Sequence, residues 1–490
     1  MLAKERFSVL LGVALVAVVS IGLGWMVANE QFHMLGAVSF AVAVGLCFLY
    51  PVLAASLTLG FAFINPSLLP PVMEVGEFTV RYIDGATILL AVAIFLRLTL
   101  QRRELLRQEW WIIFKPLFPF LAYTGMSLGL VWVYAPDALA ASTASYTRLV
   151  VTVLLGLLVF MSLESKKDLR LLTSMIVVFA VASIMVGTWE ALVNPQKESV
   201  VAGRYGGLLG INTFGLVAGL LVLWAVIARE NRGSRLSWVV PLASGLLGLI
   251  LSKSASSVLA TIGAVLFFWV FFKKWATQGT RLLRLVVGGM VGIILAMWVL
   301  RLLRPSDFYG IASLEGGSWA QRLMIAYGAL QIFLSHPIWG VGWQASSTGA
   351  VIGDPTLNKM LMEAFPKLPT HYFFLERPTS LHNLYMQLLA ELGILGFSLF
   401  IYGVVRVGKT IAIILRQMPL YSPFRKFALF NAMGLVYLLI WWNTNPLFGG
   451  QTESIFAVTF LSLFAALWRL QRQSEILLSE SRLSQIGGRL

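Results

Sequence analysis

The sequence contains fourteen apolar runs that are long enough, or nearly long enough, to cross a lipid bilayer. They lie at about 7–27, 34–50, 51–65, 83–100, 116–134, 147–163, 171–190, 208–228, 237–252, 255–272, 285–303, 383–405, 427–442 and 455–469. A helix of roughly 20 apolar residues spans the hydrocarbon core. The two short runs that meet at Tyr50-Pro51 could also form one kinked pair. The chain is therefore predicted to be an all-α polytopic membrane protein with about 12–14 transmembrane helices.

Basic residues concentrate in alternate segments between these runs. The 37 Lys and Arg outnumber the 22 Asp and Glu, which gives a formal net charge of +15. The basic segments are 102–107, 166–170, 229–235, 273–284, 406–426 and the tail from 469. Cationic loops remain on the cytoplasmic side of a membrane. Both termini are therefore predicted to be cytoplasmic, and the positive charge reflects topology and not nucleic-acid binding.

This topology divides the chain into four predicted parts. Residues 1–303 hold about eleven transmembrane helices, 304–382 form a large outer loop, 383–469 hold about three more helices, and 470–490 form a cytoplasmic tail. Shorter outer segments are predicted at 65–82, 135–146, 191–207 and 443–454. Within the large loop, the spacing from Arg322 to Phe333 predicts an amphipathic helix that ends at Ser335-His336-Pro337.

The stretch from Thr379 to Phe397 joins this outer loop to the next apolar run. Ser380 is a predicted N-cap, which would place His382 in the first helical turn. The positive end of a helix disfavours imidazolium, so His382 should be neutral and able to accept a proton. Asn383, Gln387 and Glu391 follow at a spacing of four residues and form a polar stripe that enters the membrane. Glu391 is either a helix-locking hydrogen-bond partner or a functional acid.

Three further cations are predicted at the same outer face. Arg204 precedes the span at 208–228 in a Gly-rich stretch, Asn212 adds an amide just inside that span, and Arg322 starts the loop helix. Lys253 lies in a tight turn beside four serines, which would suit a phosphate group. Each cation could instead be an anchor that extends to the membrane interface, and serine-rich turns are commonly only turns. Their convergence on one face favours a binding site.

Cations of this kind with one neutral histidine suit a diphosphate leaving group and an attacking hydroxyl. Arginine and lysine neutralise phosphate oxygens, and a neutral imidazole can take the proton of an acceptor. A metal site is poorly supported, because the four histidines are scattered and no outer acid cluster accompanies them. The single cysteine, Cys47, excludes a disulfide framework. No P-loop or dinucleotide motif is present, so no cofactor is expected.

Two motifs carry a resemblance to a known family. The stretch His382-Asn-Leu-Tyr-Met-Gln-Leu-Leu-Ala-Glu391-Leu-Gly393-Ile-Leu-Gly396, preceded by His336-Pro-Ile-Trp-Gly340-Val-Gly342, resembles the signature of O-antigen ligases and Wzy-type polymerases. Gly203-Arg204 with Asn212 is similar to further family positions. The resemblance extends from about Asp84 to Leu467 and discriminates poorly among members of the superfamily.

This resemblance implies a metal-independent, inverting glycosyltransferase of the GT-C type at the periplasmic face of the bacterial inner membrane. The donor would be a glycan on undecaprenyl diphosphate, and the acceptor would be a glycan or a lipid-linked sugar. Membrane lipid would surround the protein. His382 would be the catalytic base. Arg204 and Arg322 would bind the diphosphate or glycan, with Lys253, Asn212, Asn383 and Glu391 as further candidate substrate ligands. A chain-length regulator or export protein would be a candidate partner.

Three functions remain open at this point. The Ser252-Lys253-Ser254 turn is similar to exopolysaccharide polymerases, whereas the ligases often have Ser-Arg-Gly there, so a polymerase is favoured over an O-antigen ligase. The ligase would transfer a finished glycan to lipid A–core or a protein. A transporter of a solute or lipid-linked sugar is the third hypothesis, and it would place charges near the membrane midplane.

Overall fold

The computed structural model describes most of the chain. The described residues are 45, 47–64, 73–75, 78–101, 108–193, 205–230, 234–272, 298, 317–373, 381–419, 422, 424–443, 445 and 451–487. The predicted span at 7–27 lies outside these residues, as do most of the run at 34–50 and all of the run at 285–303 except residue 298. Arg204 also lies outside them, so its prediction as a substrate ligand has no structural counterpart.

Fifteen helices and one small hairpin follow each other along the described residues. The helices are α1 Pro51–Gly60, α2 Tyr82–Gln101, α3 Gln108–Phe114, α4 Phe118–Met126, α5 Leu128–Tyr134, α6 Leu139–Ser162, α7 Lys166–Val193, α8 Ile211–Glu230, α9 Arg235–Ser252, α10 Ala255–Phe272, α11 Gly317–Ser335, α12 Pro355–Ala364, α13 Leu384–Gln417, α14 Arg425–Trp441 and α15 Gln451–Gly487. The hairpin pairs β1 Met73–Val75 with β2 Phe78–Val80 in antiparallel register. This hairpin was not predicted within the outer segment 65–82.

Eight helical stretches of the described chain are long and apolar enough to cross a membrane. They are Tyr82–Thr99, Gln108–Tyr134, Pro136–Ser162, Lys166–Val193, Ile211–Arg229, Arg235–Ser252, Leu384–Gln417 and Thr452–Glu475. Two shorter apolar helices, Pro51–Phe63 and Ala255–Phe268, fall on predicted runs. The all-α polytopic membrane fold is confirmed. The division into four parts stays a prediction, although α15 continues without interruption across the proposed boundary at residue 469.

The described helices build two separate hydrophobic cores. The larger core joins the membrane helices, and α8 and α15 are its most buried members. The smaller core joins α11 with the segments around it, through Met324, Ile325, Leu361 and Leu381. Large apolar side chains such as Met126 and Trp189 are exposed, as expected for surfaces that face lipid. The smaller core therefore organises the loop that carries Arg322.

A buried arginine ties the end of α6 to α15. Arg469 is only 4% exposed, and its guanidinium donates to the carbonyl oxygens of Phe160 and Leu163. The guanidinium carbon also lies 4.4 Å from the centroid of the Phe160 ring. Carbonyls at a helix C-terminus have no partner within the helix. Arg469 supplies that partner.

Replacing Arg469 with methionine should lower the free energy of unfolding by about 2–4 kcal/mol, because buried carbonyls lose their donor. Equilibrium unfolding in mixed detergent micelles would measure the change. Arg472→Met is the matched control, since the side chain of Arg472 is 52% exposed and its distance to Glu109 is 3.9 Å. We expect the control to cost less than about 1 kcal/mol. Equal effects of the two substitutions would contradict the capping role.

Candidate active site at the start of α13

His382 lies just before α13 and not within its first turn. The structure corrects the predicted cap at Ser380, because α13 begins at Leu384 and its N-cap is Asn383. The Asn383 side chain accepts hydrogen bonds from the backbone N–H groups of Tyr385 and Met386, at 3.0 and 3.1 Å. His382 itself has a left-handed backbone with φ of +46°. This geometry directs the chain sharply from the outer loop into the helix.

The end of α14 holds this turn in place. The backbone N–H of Leu384 donates to the Trp442 carbonyl at 3.0 Å. The amide of Asn383 donates to the carbonyl of Asn443 at 2.8 Å. Asn383 was predicted as a substrate ligand; the structure gives its side chain these intramolecular partners, and the ligand role stays a prediction. We call the helix ends around this turn the His382 end: the starts of α8, α13 and α15, the α9–α10 turn and the end of α14.

The His382 imidazole favours its neutral form. Burial lowers the pKa of His382 below its ordinary value, and the positive charge of Arg322 lowers it further. The sequence analysis had attributed this preference to the helix N-terminus instead. Arg322 lies on α11, sixty positions earlier in the chain. The structure thus brings these two predicted site residues into electrostatic contact.

Replacing Arg322 with glutamine should raise the pKa of His382, because the charge that opposes its protonation is removed. The rate at which diethyl pyrocarbonate modifies His382, followed over pH by peptide mass spectrometry, would report this pKa. Lys359→Gln is a suitable control, since Lys359 is an exposed cation of the same outer loop. A pKa that is unchanged in Arg322→Gln would contradict the electrostatic contact.

The α13 helix is broken at Gly393, and the loop after α11 fills the break. Gly393 has φ of +61°. The N–H groups of Val341 and Gly342 donate to the carbonyls of Ala390 and Glu391, at 3.1 and 2.8 Å. In return, Ile394 and Leu395 donate to Pro337 and Ile338, at 2.9 and 3.3 Å. The two motifs that carried the family resemblance therefore bind each other through backbone hydrogen bonds.

The close neighbour of Gly393 is a loop and not another helix. A Cβ atom on Gly393 would lie 2.3 Å from the Ile338 carbonyl oxygen. Gly396 does face a helix, because a Cβ there would lie 2.8 Å from the ring of Tyr123 on α4. The hydroxyl oxygen of Tyr123 lies 3.2 Å from the Trp339 carbonyl oxygen, so α4 also supports the docked loop.

The Glu391 side chain, next to this break, accepts hydrogen bonds from both the loop and the helix. Its side chain is 0% exposed. One carboxyl oxygen, Oε1, accepts from the Ser346 hydroxyl at 2.6 Å and from the Gln387 amide at 3.1 Å. Of the two readings left open by the sequence, these contacts favour the locking partner. Its assignment as a substrate ligand stays a prediction.

The α9–α10 turn presents Lys253 but encloses its serines. Lys253 caps α9 in a left-handed conformation. Ser252, Ser254, Ser256 and Ser257 are all buried. Within this group, the Ser254 hydroxyl lies 3.0 Å from that of Ser256 and 2.9 Å from that of Ser257. The hydroxyls of Ser254, Ser256 and Ser257 therefore bond one another, and that of Ser252 donates to the Leu249 carbonyl, so these serines do not line an open phosphate site. Lys253 as a phosphate ligand stays a prediction.

Contacts between helices link this turn to the other predicted residues. The indole N–H of Trp441 donates to the Ser257 hydroxyl at 3.2 Å, which joins the turn to the end of α14. The backbone N–H of Tyr205 donates to the Leu251 carbonyl at 3.1 Å. Asn212 is half-buried in the first turn of α8, close to this group. Lys253, Asn212, Asn383 and His382 thus lie at the His382 end, and Arg322 acts on His382 from α11.

The sequence analysis missed one acidic residue at this end. Glu453, in the first turn of α15, is 4% exposed and accepts from the Thr213 hydroxyl at 3.1 Å. The sequence feature that could have identified Glu453 is its position as an acidic residue at the start of an apolar run. Among the residues that the structure describes, no three His, Cys, Asp or Glu side chains come together as a metal site.

Residues 239–401 match the family described as O-antigen ligase. Over these residues the chain is similar to the O-antigen ligases, and the match supports the resemblance to the O-antigen ligase and Wzy superfamily. No curated protein matched the chain. The family supports an enzyme of the ligase or polymerase kind.

The match to the O-antigen ligase family contains most of the predicted site. It includes Lys253, Arg322, His382, Asn383 and Glu391. It also includes both segments that pair at the break in α13, the loop segment Pro337–Gly342 and the helix residues from Ala390 to Leu395. Arg204, Asn212 and Glu453 lie outside it. The O-antigen ligase segment therefore corresponds to α9, α10, the outer loop and the first half of α13.

Proposed function

We propose that this protein is a glycosyltransferase that transfers glycan from undecaprenyl diphosphate to a sugar hydroxyl at the periplasmic face of the bacterial inner membrane. Within this chemistry we propose a polysaccharide polymerase, on the Ser252-Lys253-Ser254 turn. The observation that carries the proposal is His382, which directly precedes a membrane helix and has a pKa lowered by burial and by the positive charge of Arg322. A neutral imidazole beside an arginine provides a base and a phosphate ligand together.

In the proposed reaction, His382 takes the proton of the acceptor hydroxyl. The oxygen of that hydroxyl attacks the anomeric carbon of the donor. The bond from that carbon to the diphosphate oxygen breaks, and the diphosphate leaves with the electron pair. Attack opposite the leaving group inverts the configuration. Arg322, with Arg204 and Lys253, would neutralise the phosphate oxygens. Because these cations supply the positive charge, the scheme requires no metal and no nucleotide.

The distribution of charge supports the orientation. The helices that start at the His382 end finish beside basic residues, such as Arg229 on α8 and Arg416 on α13. Cationic segments remain in the cytoplasm. The His382 end would therefore face the periplasm, where polyprenyl-linked glycan is delivered for polymerisation.

An apolar cavity supports a lipid-linked donor. In the described part of the chain, a cavity of about 230 Å³ lies between α4, α6, α13, α14 and α15. Phe120, Val404, Leu435 and Trp442 form part of its wall. The Trp442 carbonyl is the group that binds the N–H of Leu384. We propose that this cavity receives part of the isoprenoid chain while the diphosphate remains at His382.

The test is a transfer assay with purified protein in lipid, without ATP and with EDTA. The only substrate is a repeat unit linked to undecaprenyl diphosphate. Ladders of longer lipid-linked glycan, absent in His382→Ala and present in Lys359→Ala, would support the polymerase. Product that forms only after lipid A–core is added would replace the polymerase with a ligase. No transfer to either acceptor, with uptake of solute into vesicles, would overturn the proposal in favour of a transporter.

A further inference from the structure

Glu391 is a buried carboxyl group that the proposed reaction does not use. It lies in the membrane-spanning part of α13 and is 0% exposed, so a substrate cannot reach it in this conformation. A carboxyl group in lipid is costly unless protein groups satisfy it. Its Oε1 atom accepts hydrogen bonds from two different elements: Ser346 in the outer loop and Gln387 on α13. One oxygen thus joins the loop to the helix.

Each of these two elements leads to a residue of the candidate active site. Gln387 lies one helical turn after Asn383, the N-cap that follows His382. Ser346 follows the docked segment Pro337–Gly342, which in turn follows α11 and Arg322. Leu381, next to His382, also belongs to the same buried cluster as Met324 on α11. The Ser346–Glu391–Gln387 contact therefore joins the loop that follows α11 to the helix that follows His382.

We propose that Glu391 is a positioning residue that fixes Arg322 relative to His382 by locking the outer loop onto α13. The inference rests on the proposed function, in which His382 is the base and Arg322 binds the diphosphate. Backbone hydrogen bonds at the break hold the loop along α13. Glu391 adds a side-chain bond beyond that segment, at Ser346. Without it, the segment after Gly342, which packs in one buried cluster with Met324 of α11 through Ile352 and Leu361, loses this attachment to α13.

Two substitutions test the lock from opposite sides. Ser346→Ala removes the side-chain donor on the loop and leaves α13 unchanged, whereas Glu391→Leu removes the acceptor of every loop donor, including the backbone of Gln344. Glu391→Gln is the matched control, because its amide oxygen can still accept from both donors. Each would be measured for the pKa of His382 by pH-dependent modification with diethyl pyrocarbonate, and for kcat and KM in the transfer assay.

We expect Ser346→Ala and Glu391→Leu to raise the pKa of His382, because Arg322 no longer holds it down. Among the described residues, Arg322 is the charged group that acts on His382. The kcat should fall roughly 10- to 100-fold, as for a misplaced catalytic group. Glu391→Gln should leave the pKa of His382 and the kcat as they are in the unmodified protein. In an Arg322→Gln background, neither substitution should change the pKa of His382 further.

Two outcomes would overturn the positioning role. One is an unchanged or lowered pKa of His382 in Ser346→Ala, if that variant is folded. The other is an equal shift with and without Arg322, which would indicate general loosening of the fold. The modification readout does not depend on transfer. If Ser346→Ala raised the pKa of His382 but His382→Ala kept full activity, the first result would support the positioning of Arg322 and the second would reject His382 as the base.

Discussion

Replacing His382 with alanine should lower the transfer rate roughly 10²–10⁴-fold, the range expected when a general base is lost. Binding of the donor should persist, because the cations that would hold the diphosphate remain. The measurement is single-turnover transfer by purified protein in lipid, with donor binding measured separately. Lys359→Ala, in the same outer loop, should behave as the unmodified protein. Full activity of His382→Ala at normal expression would reject the assigned mechanism.

The pH profile gives an independent view of the same base. A base works only when it is unprotonated, so the rate should fall as pH decreases through the pKa of His382. Burial and Arg322 lower that pKa. Activity should therefore persist to more acidic pH than it would with an ordinary histidine. In Arg322→Gln the acid limb should move to higher pH, in the same direction as the pKa measured by chemical modification.

Replacing Gly393 with alanine should destabilise the protein by about 3–5 kcal/mol, an unusually large effect for one methyl group. Part of the cost is the left-handed backbone, about 1–2 kcal/mol for a residue with a Cβ atom. The rest is steric, because the Cβ atom would lie 2.3 Å from the Ile338 carbonyl oxygen. The free energy of unfolding in mixed micelles would measure the sum.

The same helix provides the control. A Cβ atom on Gly408 would have no neighbour within 4 Å. Gly408→Ala should be neutral or stabilise by up to about 1 kcal/mol, the helix preference of alanine over glycine. Gly340→Ala, across the break, should resemble Gly393→Ala, since its Cβ atom would lie 2.3 Å from the Glu391 carbonyl oxygen. If Gly393→Ala were as stable as Gly408→Ala, the break in α13 would be wrong.

The membrane fold was predictable because lipid offers the backbone no hydrogen bonds. Each apolar run must then satisfy its own backbone as a helix, so the runs at 83–100 and 208–228 correspond directly to α2 and α8. The break at Gly393 had no such local cause. The residues around it read as one continuous apolar helix, and the partner that opens it lies about 50 positions earlier.

The site was predictable in its residue types and less so in its geometry. His382 and Arg322 are polar groups next to apolar segments, which is why the sequence predicted both for one site, and the charge of Arg322 acts on His382 in the structure. The choice between Ser380 and Asn383 as N-cap was beyond local reasoning, because both residue types cap helices well. Tertiary contacts decide it, since the turn is held by the carbonyls of Trp442 and Asn443 at the end of α14.

The backbone pairing across the break also determines which pieces of this chain are interchangeable. The segment Pro337–Gly342 completes the hydrogen bonds of Ala390, Glu391, Ile394 and Leu395. The corresponding loop of a related protein could therefore not be exchanged by itself, with the junctions placed where the loop meets the membrane helices. A chimaera would need to carry the first half of α13, through Leu395, together with the loop. Substrate preference and the outer third of this membrane helix would then be inherited as one unit.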